Sequence, residues 1–186
     1  MMDSEEVRSS AEREFRRLKL LADRALVQID DGEFFHTIDP ESNSIGVLVK
    51  HLAGNMASRW RNLLTEDGEK PNRDRDGEFV IRPEDTRDTL MSAWEEGWAI
   101  LFETVSALTP TQMTDGKAAI RGERLSVTEA LHRQLLHYGY HVGQIVFLAK
   151  HLRGARWQVL SIPRGQSRLF NEEPSAYLQP RSTDTP

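Results

Sequence analysis

The sequence predicts an all-α protein: one four-helix bundle with a small hairpin before its last long helix and an irregular C-terminal segment. Three observations carry this. Apolar residues recur at steps of three and four in four long stretches, the signature of amphipathic helices. Glycine, proline and mixed charge gather between those stretches rather than inside them. The length, 186 residues with 38% apolar and 28% charged, suits a single sizeable core. The expected division is one domain over residues 1–171 and a loose tail over 172–186.

The first helix is expected from about Ser4 to Ile29, where Val7, Ala11, Phe15, Leu18, Ala22, Ala25 and Ile29 draw one apolar stripe. DDGEFFHTIDPESNS then reads as a loop, with Asp-Gly and Pro signals. The second helix runs from about Ser44 to Leu64. EDGEKPNRDRDGEFVIRP comes next as a long polar loop. The third helix is expected to start near Pro83, since Pro, Glu and Asp suit a first turn. Its stripe is Leu90, Trp94, Trp98 (or Gly97), Leu101, Val105 and Leu108, and Pro110 stops it. KAAIRGERLSV reads as a hairpin turning at Arg121-Gly122. Ser126-Val127-Thr128-Glu129 is a capping box that opens the fourth helix, which ends near Leu152-Arg153-Gly154. Trp157 to Phe170 reads as packed but irregular.

Composition excludes several functions. The net charge is −5 and the pI about 5.7, which disfavours nucleic acid and anionic membrane as partners. There is no cysteine, so disulfides, thiolate metal sites and a cysteine nucleophile are ruled out, and a reducing cytoplasm is the expected compartment. No segment approaches the ~20 apolar residues of a membrane span, and MMDSEEVRSSAEREF has no apolar signal-peptide core. No Walker loop, Gly-x-Ser-x-Gly or dinucleotide fingerprint occurs. Asn72 to Gly77 mimics the start of an EF-hand loop, but Pro83 stands where the bidentate glutamate belongs, so a salt-bridged loop is expected instead. Leu160 to Ser167, with Pro163-Arg164-Gly165, reads as a turn packing the C-terminal segment.

The chemistry lies in LHRQLLHYGYHVGQIVFLAKHL. At ~100° and ~1.5 Å per residue, positions four apart sit about 40° apart and ~6 Å along the axis. His137 and His141 are so spaced, and two imidazoles at that spacing can converge on one metal ion. Val127, Ala130, Gln134, Ile145, Leu148 and Leu152 share their face, so the stripe is apolar at both ends and polar in the middle. Gln144 lies near its edge, while His132 and His151 fall off it. The second helix repeats the pattern through His51, with Val47, Leu48, Asn55, Ser58 and Asn62 in line and Arg59 at the edge. A third imidazole is available there, and three histidines plus a water make an open site. Core or surface histidines without metal are the alternative. Two readings also stand at Arg59: a pocket guanidinium pairing with a substrate carboxylate, or a partner of loop carboxylates such as Asp67 or Glu69. Gln144 either holds a metal-bound water, buttresses a histidine, or makes a plain core hydrogen bond.

A single histidine in the second helix (Lys50-His51-Leu52), then His137-Tyr138-Gly139-Tyr140-His141-Val142-Gly143-Gln144, resembles the DinB/YfiT-like superfamily. KHLAGNMASRW, DGEKPNRDRDGEF and LSIPRGQS are similar to an uncharacterised bacterial branch of it, and the resemblance spans about Ser4 to Asn171. It implies a four-helix bundle holding a divalent ion on His51, His137 and His141; imidazole ligands favour zinc or nickel, and Asn55, Arg59 and Gln144 are the candidate pocket residues beside it. Characterised members include S-transferases that use bacillithiol or mycothiol and a maleylpyruvate isomerase. The resemblance therefore implies a metal-dependent enzyme that activates a thiol cosubstrate, or water, against a small electrophile, and a homodimer paired through helix faces. The alternatives are a non-catalytic metal- or ligand-binding bundle, and a dimerisation module without metal.

Overall fold

A computed structural model describes residues 4–172; the expected loose tail falls almost wholly outside them. The chain is mostly helical, with one two-stranded sheet. Four long helices, α1 (Ser4–Leu26), α3 (Ile45–Trp60), α4 (Arg87–Ala107) and α6 (Val127–Arg153), share a continuous core. α3 packs most extensively on α4 and α1 on α6; α3 also meets α6, and α1 meets α4.

The periodicity decides which faces turn inward. α1 buries Ala11, Phe15, Ala22, Ala25 and Leu26. Its outer face carries exposed i, i+4 pairs such as Glu12–Arg16 at 2.7 Å, each worth only a few tenths of a kcal/mol. α1 stops at Leu26 rather than Ile29, because Arg87 donates to the carbonyls of Leu26 and Ile29 at 2.7 and 2.8 Å and takes up the last turn. On α4, Gly97 lets α3 approach closely: a Cβ there would stand 3.0 Å from the Met56 terminal methyl.

Two short helices occupy stretches expected to be loop or terminator. α2 (Asp31–Phe35) is set by a capping box between Asp30 and Glu33 and buries Phe34. α5 (Pro110–Asp115) starts at a Thr109–Gln112 box with Pro110 in its first turn, and buries Met113. Two other boundaries also move. α3 ends at Trp60, not Leu64, where Arg61 turns extended and Asn62 takes φ 54°. α4 starts at Arg87, not Pro83, because Thr86 and Thr89 exchange capping bonds. The turn at residues 82–85 instead hands its Asp85 carboxylate to Lys50 at 2.6 Å.

The hairpin is where it was expected. β1 (Lys117–Ile120) pairs antiparallel with β2 (Glu123–Ser126), with Ile120 opposite Glu123. Arg121 and Gly122, at φ 55° and 76°, form the tight turn that suits the strands' twist. Asp67 locks this turn to the long loop, accepting from the backbone N–H groups of Arg121 at 2.8 Å and Gly122 at 2.7 Å. Ser126 and Glu129 then cap α6, and Gly154 at φ 53° ends it. The C-terminal segment packs Trp157 and Leu160 on the core as expected, but its last residues coil into α7 (Ser167–Glu172). No described helix is long and apolar enough to cross a membrane.

Candidate metal centre

α3 and α6 run side by side and present His51, His137 and His141 to one another. A ligand nitrogen from each lies within 4.8 Å of the other two. His51 and His141 are buried and His137 half-buried. The Nε2 atoms of His51 and His137 stand 3.3 Å apart. Two imidazoles on one tetrahedral zinc, with bonds of roughly 2.0–2.1 Å, sit about 3.3 Å apart. The ring centroids of His137 and His141 are 4.8 Å apart, those of His51 and His141 4.9 Å. Packing three imidazoles edge to face leaves no room for three protons between them.

Their outward nitrogens are fixed. His51 Nδ1 meets Glu78 Oε2 at 2.8 Å, and His141 Nδ1 meets Gln144 Oε1 at 2.8 Å. Both acceptors call for an N–H on Nδ1, which leaves the Nε2 lone pair pointing inward. Burial, then the neighbouring imidazoles of His141 and His51 and the guanidiniums of Arg59 and Arg73, push the His137 pKa down to about 3. His141 is likewise lowered by burial, against the support of Gln144. His137 and His141 are therefore neutral at physiological pH, the form that binds metal.

Glu78 was not among the residues singled out from the sequence. It sits in a 3-10 turn (Gly77–Phe79) of the long loop and is buried. Arg73 grips it with two bonds, Nε to Oε1 at 2.7 Å and a terminal nitrogen to Oε2 at 2.8 Å. Burial alone raises its pKa; the bonds from His51 and Arg73 outweigh that and hold it below the usual carboxylate value. So an arginine, a carboxylate and an imidazole form one chain ending at the centre, the arrangement that orients metal-binding histidines. The loop is salt-bridged, as expected, and Asp74 bonds Arg82 at 2.9 Å rather than facing a cation site.

Gly54 makes room for this chain. A Cβ there would lie 2.5 Å from Glu78 Oε1. Alanine at a helix interior is favoured over glycine by about 1 kcal/mol. Gly54→Ala gains that helix preference but pushes the Glu78 carboxylate off both His51 and Arg73, so it should lower stability less than Glu78→Ala does and weaken zinc binding about tenfold. Competition titration against a chelating dye reads this directly; unchanged affinity would mean that Glu78 does not tune His51.

A cavity of about 400 Å³ opens beside the three imidazoles. Asn55 and Arg59 line it, one and two turns along α3 from His51. Asn55 Oδ1 accepts from Tyr138 Oη at 3.1 Å, and Tyr138 accepts from Trp60 Nε1 at 2.9 Å, so the amide is anchored to the core. Arg59 both faces the cavity and is engaged: it bonds the Gly68 carbonyl and lies 2.9 Å from Glu69. Gln144 buttresses His141 and is not on the cavity wall. Ser58 and Asn62, expected on the same face, lie outside the cavity, Ser58 donating to Gly68 O at 2.6 Å. His132 and His151 are exposed.

No curated protein and no solved structure matches the chain. A family profile described as a protein of unknown function, DUF1572, matches residues 3–166. The chain belongs to the DUF1572 family.

Proposed function

We propose that this chain is a metal-dependent enzyme on a four-helix bundle of the DinB/YfiT-like type. His51, His137 and His141 would hold a divalent ion, zinc or nickel, whose imidazole preference suits the set. The observation that carries the reading is the convergence of three imidazoles with two outward nitrogens held by Glu78 and Gln144. Three protein ligands would leave room for a further donor, and the cavity opens beside the three imidazoles. When bound, such an ion acts as a Lewis acid and makes a thiol or water donor acidic enough to react at neutral pH. The chain contributes the rest. Glu78 and Gln144 fix ring orientation, Phe79 covers the His51 ring at 4.7 Å, and the cavity wall positions the electrophile. With no cysteine available, a thiol nucleophile would come from a cosubstrate.

The test is a screen of zinc- and nickel-loaded protein with low-molecular-weight thiols and a chromogenic aryl halide, with ester and amide hydrolysis in parallel. Turnover by wild type that falls at least about 100-fold in His141→Ala, with the helical CD spectrum kept, is the expected result. Bound metal without thiol transfer or hydrolysis would overturn the enzyme reading in favour of a non-catalytic binding bundle.

Pairing of two copies in the cytoplasm belongs to the same proposal. Leu136, Tyr140 and Phe147 are 77%, 63% and 65% exposed and, with Gly143, form one stripe along α6. Light scattering should give a dimer for wild type and a monomer for Leu136→Lys/Phe147→Lys; a monomeric wild type would exclude it.

A further inference from the structure

The cavity's charge is opposite to that of the chain. Arg59, Arg73, Arg75, Arg121 and Arg133 line it, and among the described lining residues none is acidic, although the net charge is −5. They come from four parts of the fold: α3, the long loop, the hairpin turn and α6. Their carboxylate partners stand behind them and are shared. Glu69 alone lies 2.9 Å from Arg59, 3.4 Å from Arg73 and 3.2 Å from Arg121. Glu123 is 2.6 Å from Arg133, and Asp76 only reaches 4.0 Å from Arg75. Glu78 already holds Arg73, and the single Glu69 carboxylate cannot neutralise both Arg59 and Arg121, so the wall keeps a positive field in a concave, partly desolvated place.

A second observation is independent of charge. Gln134 of α6 lines the same cavity and is 4% exposed, yet its side-chain oxygen has no hydrogen-bond partner. A buried acceptor without a donor is costly, and a hydroxyl or N–H brought to it from the cavity would satisfy it.

We infer that the cavity recognises a small organic carboxylate that also carries a hydroxyl or amino group, its carboxylate on the guanidiniums and its donor on Gln134. Guanidinium forks match carboxylate oxygens two by two. The volume, about 400 Å³, falls at the small end of ligand sites. Such a molecule would be the substrate of the proposed enzyme, and its catalytic meaning rests on that reading, but the recognition itself needs no metal.

The experiment is calorimetry on full-length, metal-stripped protein with three probes: tartrate, succinate and inorganic phosphate. Tartrate should bind, weakening as salt rises, and more tightly than succinate, which lacks the hydroxyls. Arg121→Ala/Arg133→Ala, which alters two side chains that are 59% and 47% exposed and so leaves the fold intact, should bind tartrate at least about tenfold more weakly. Gln134→Leu should bring tartrate and succinate to within about twofold of each other. No binding of any probe up to tens of millimolar would overturn the inference. So would tartrate binding indifferent to the arginine and Gln134 variants, or phosphate binding more tightly than tartrate in both wild type and Gln134→Leu. Zinc uptake is measured separately. Zinc without tartrate would sink this inference and spare the metal centre; tartrate without zinc would do the reverse.

Discussion

The variant His137→Ala/His141→Ala is expected to carry no transition metal, where wild type purified without a histidine tag carries about one equivalent. Both rings leave from one helix, and His51 alone is a weak, monodentate site. The backbone of α6 should survive, since alanine is the best helix former and the flanking Tyr138 and Val142 remain fully buried. Added zinc should also separate the two proteins in stability. An ion at a thousandfold excess over its dissociation constant stabilises by about 4 kcal/mol, which for a chain this long raises the melting temperature by roughly 10 °C. Elemental analysis and a thermal melt with and without zinc check both statements. Equal metal in the two proteins would place it elsewhere.

Glu78 should show the second large effect, and its two substitutions should differ in kind. Glu78→Gln keeps shape and loses charge; zinc affinity should fall about 10- to 100-fold with little change in fold. Glu78→Ala does more. The Arg73 side chain is only 5% exposed, and it would lose a two-bond partner. Removing one member of a buried pair costs about 3–5 kcal/mol, and Glu69 at 3.4 Å should hold the loss to the lower end. Urea unfolding of metal-free protein measures it. Arg73→Leu/Glu78→Leu should recover part of that stability while zinc binding stays weak, because no buried charge is then stranded. A cost below about 1 kcal/mol for Glu78→Ala would mean the pair is effectively solvated.

The histidine set was legible because helix geometry is rigid. Once His137 and His141 are placed four apart on a stripe interrupted by polar residues, and His51 on another, the faces that meet are set by burial. Glu78 was not legible. It lies 27 positions from His51, beyond the end of α3 in the long loop, and no period governs a loop. Two weak signals pointed to it. One is Gly54, a glycine in mid-helix three residues after His51, where alanine would be favoured unless something stood close. The other is the mixed charge of residues 72–78, which an EF-hand resemblance made conspicuous for the wrong reason. The arginine wall was invisible for a similar cause: its members lie scattered from residue 59 to 133, and of the two readings of Arg59 the fold shows the loop carboxylate, Glu69, while placing the side chain on the cavity wall. α2 and α5 are too short to show a period, although Asp30-x-x-Glu33 and Thr109-Pro110 are cap signals in plain view.

The tie between Asp67 and the hairpin turn bears on time as well as shape. It joins the long loop to the hairpin, and between them these segments carry Arg73, Arg75, Glu78 and Arg121, whereas the helices carry the imidazoles. Surface segments joined by exposed hydrogen bonds such as those of Asp67 open more readily than a core helix, which opens only with global unfolding. Because Asp67 ties them, the loop and the hairpin should open as one unit, which amide exchange at Arg121 and Gly122 would read.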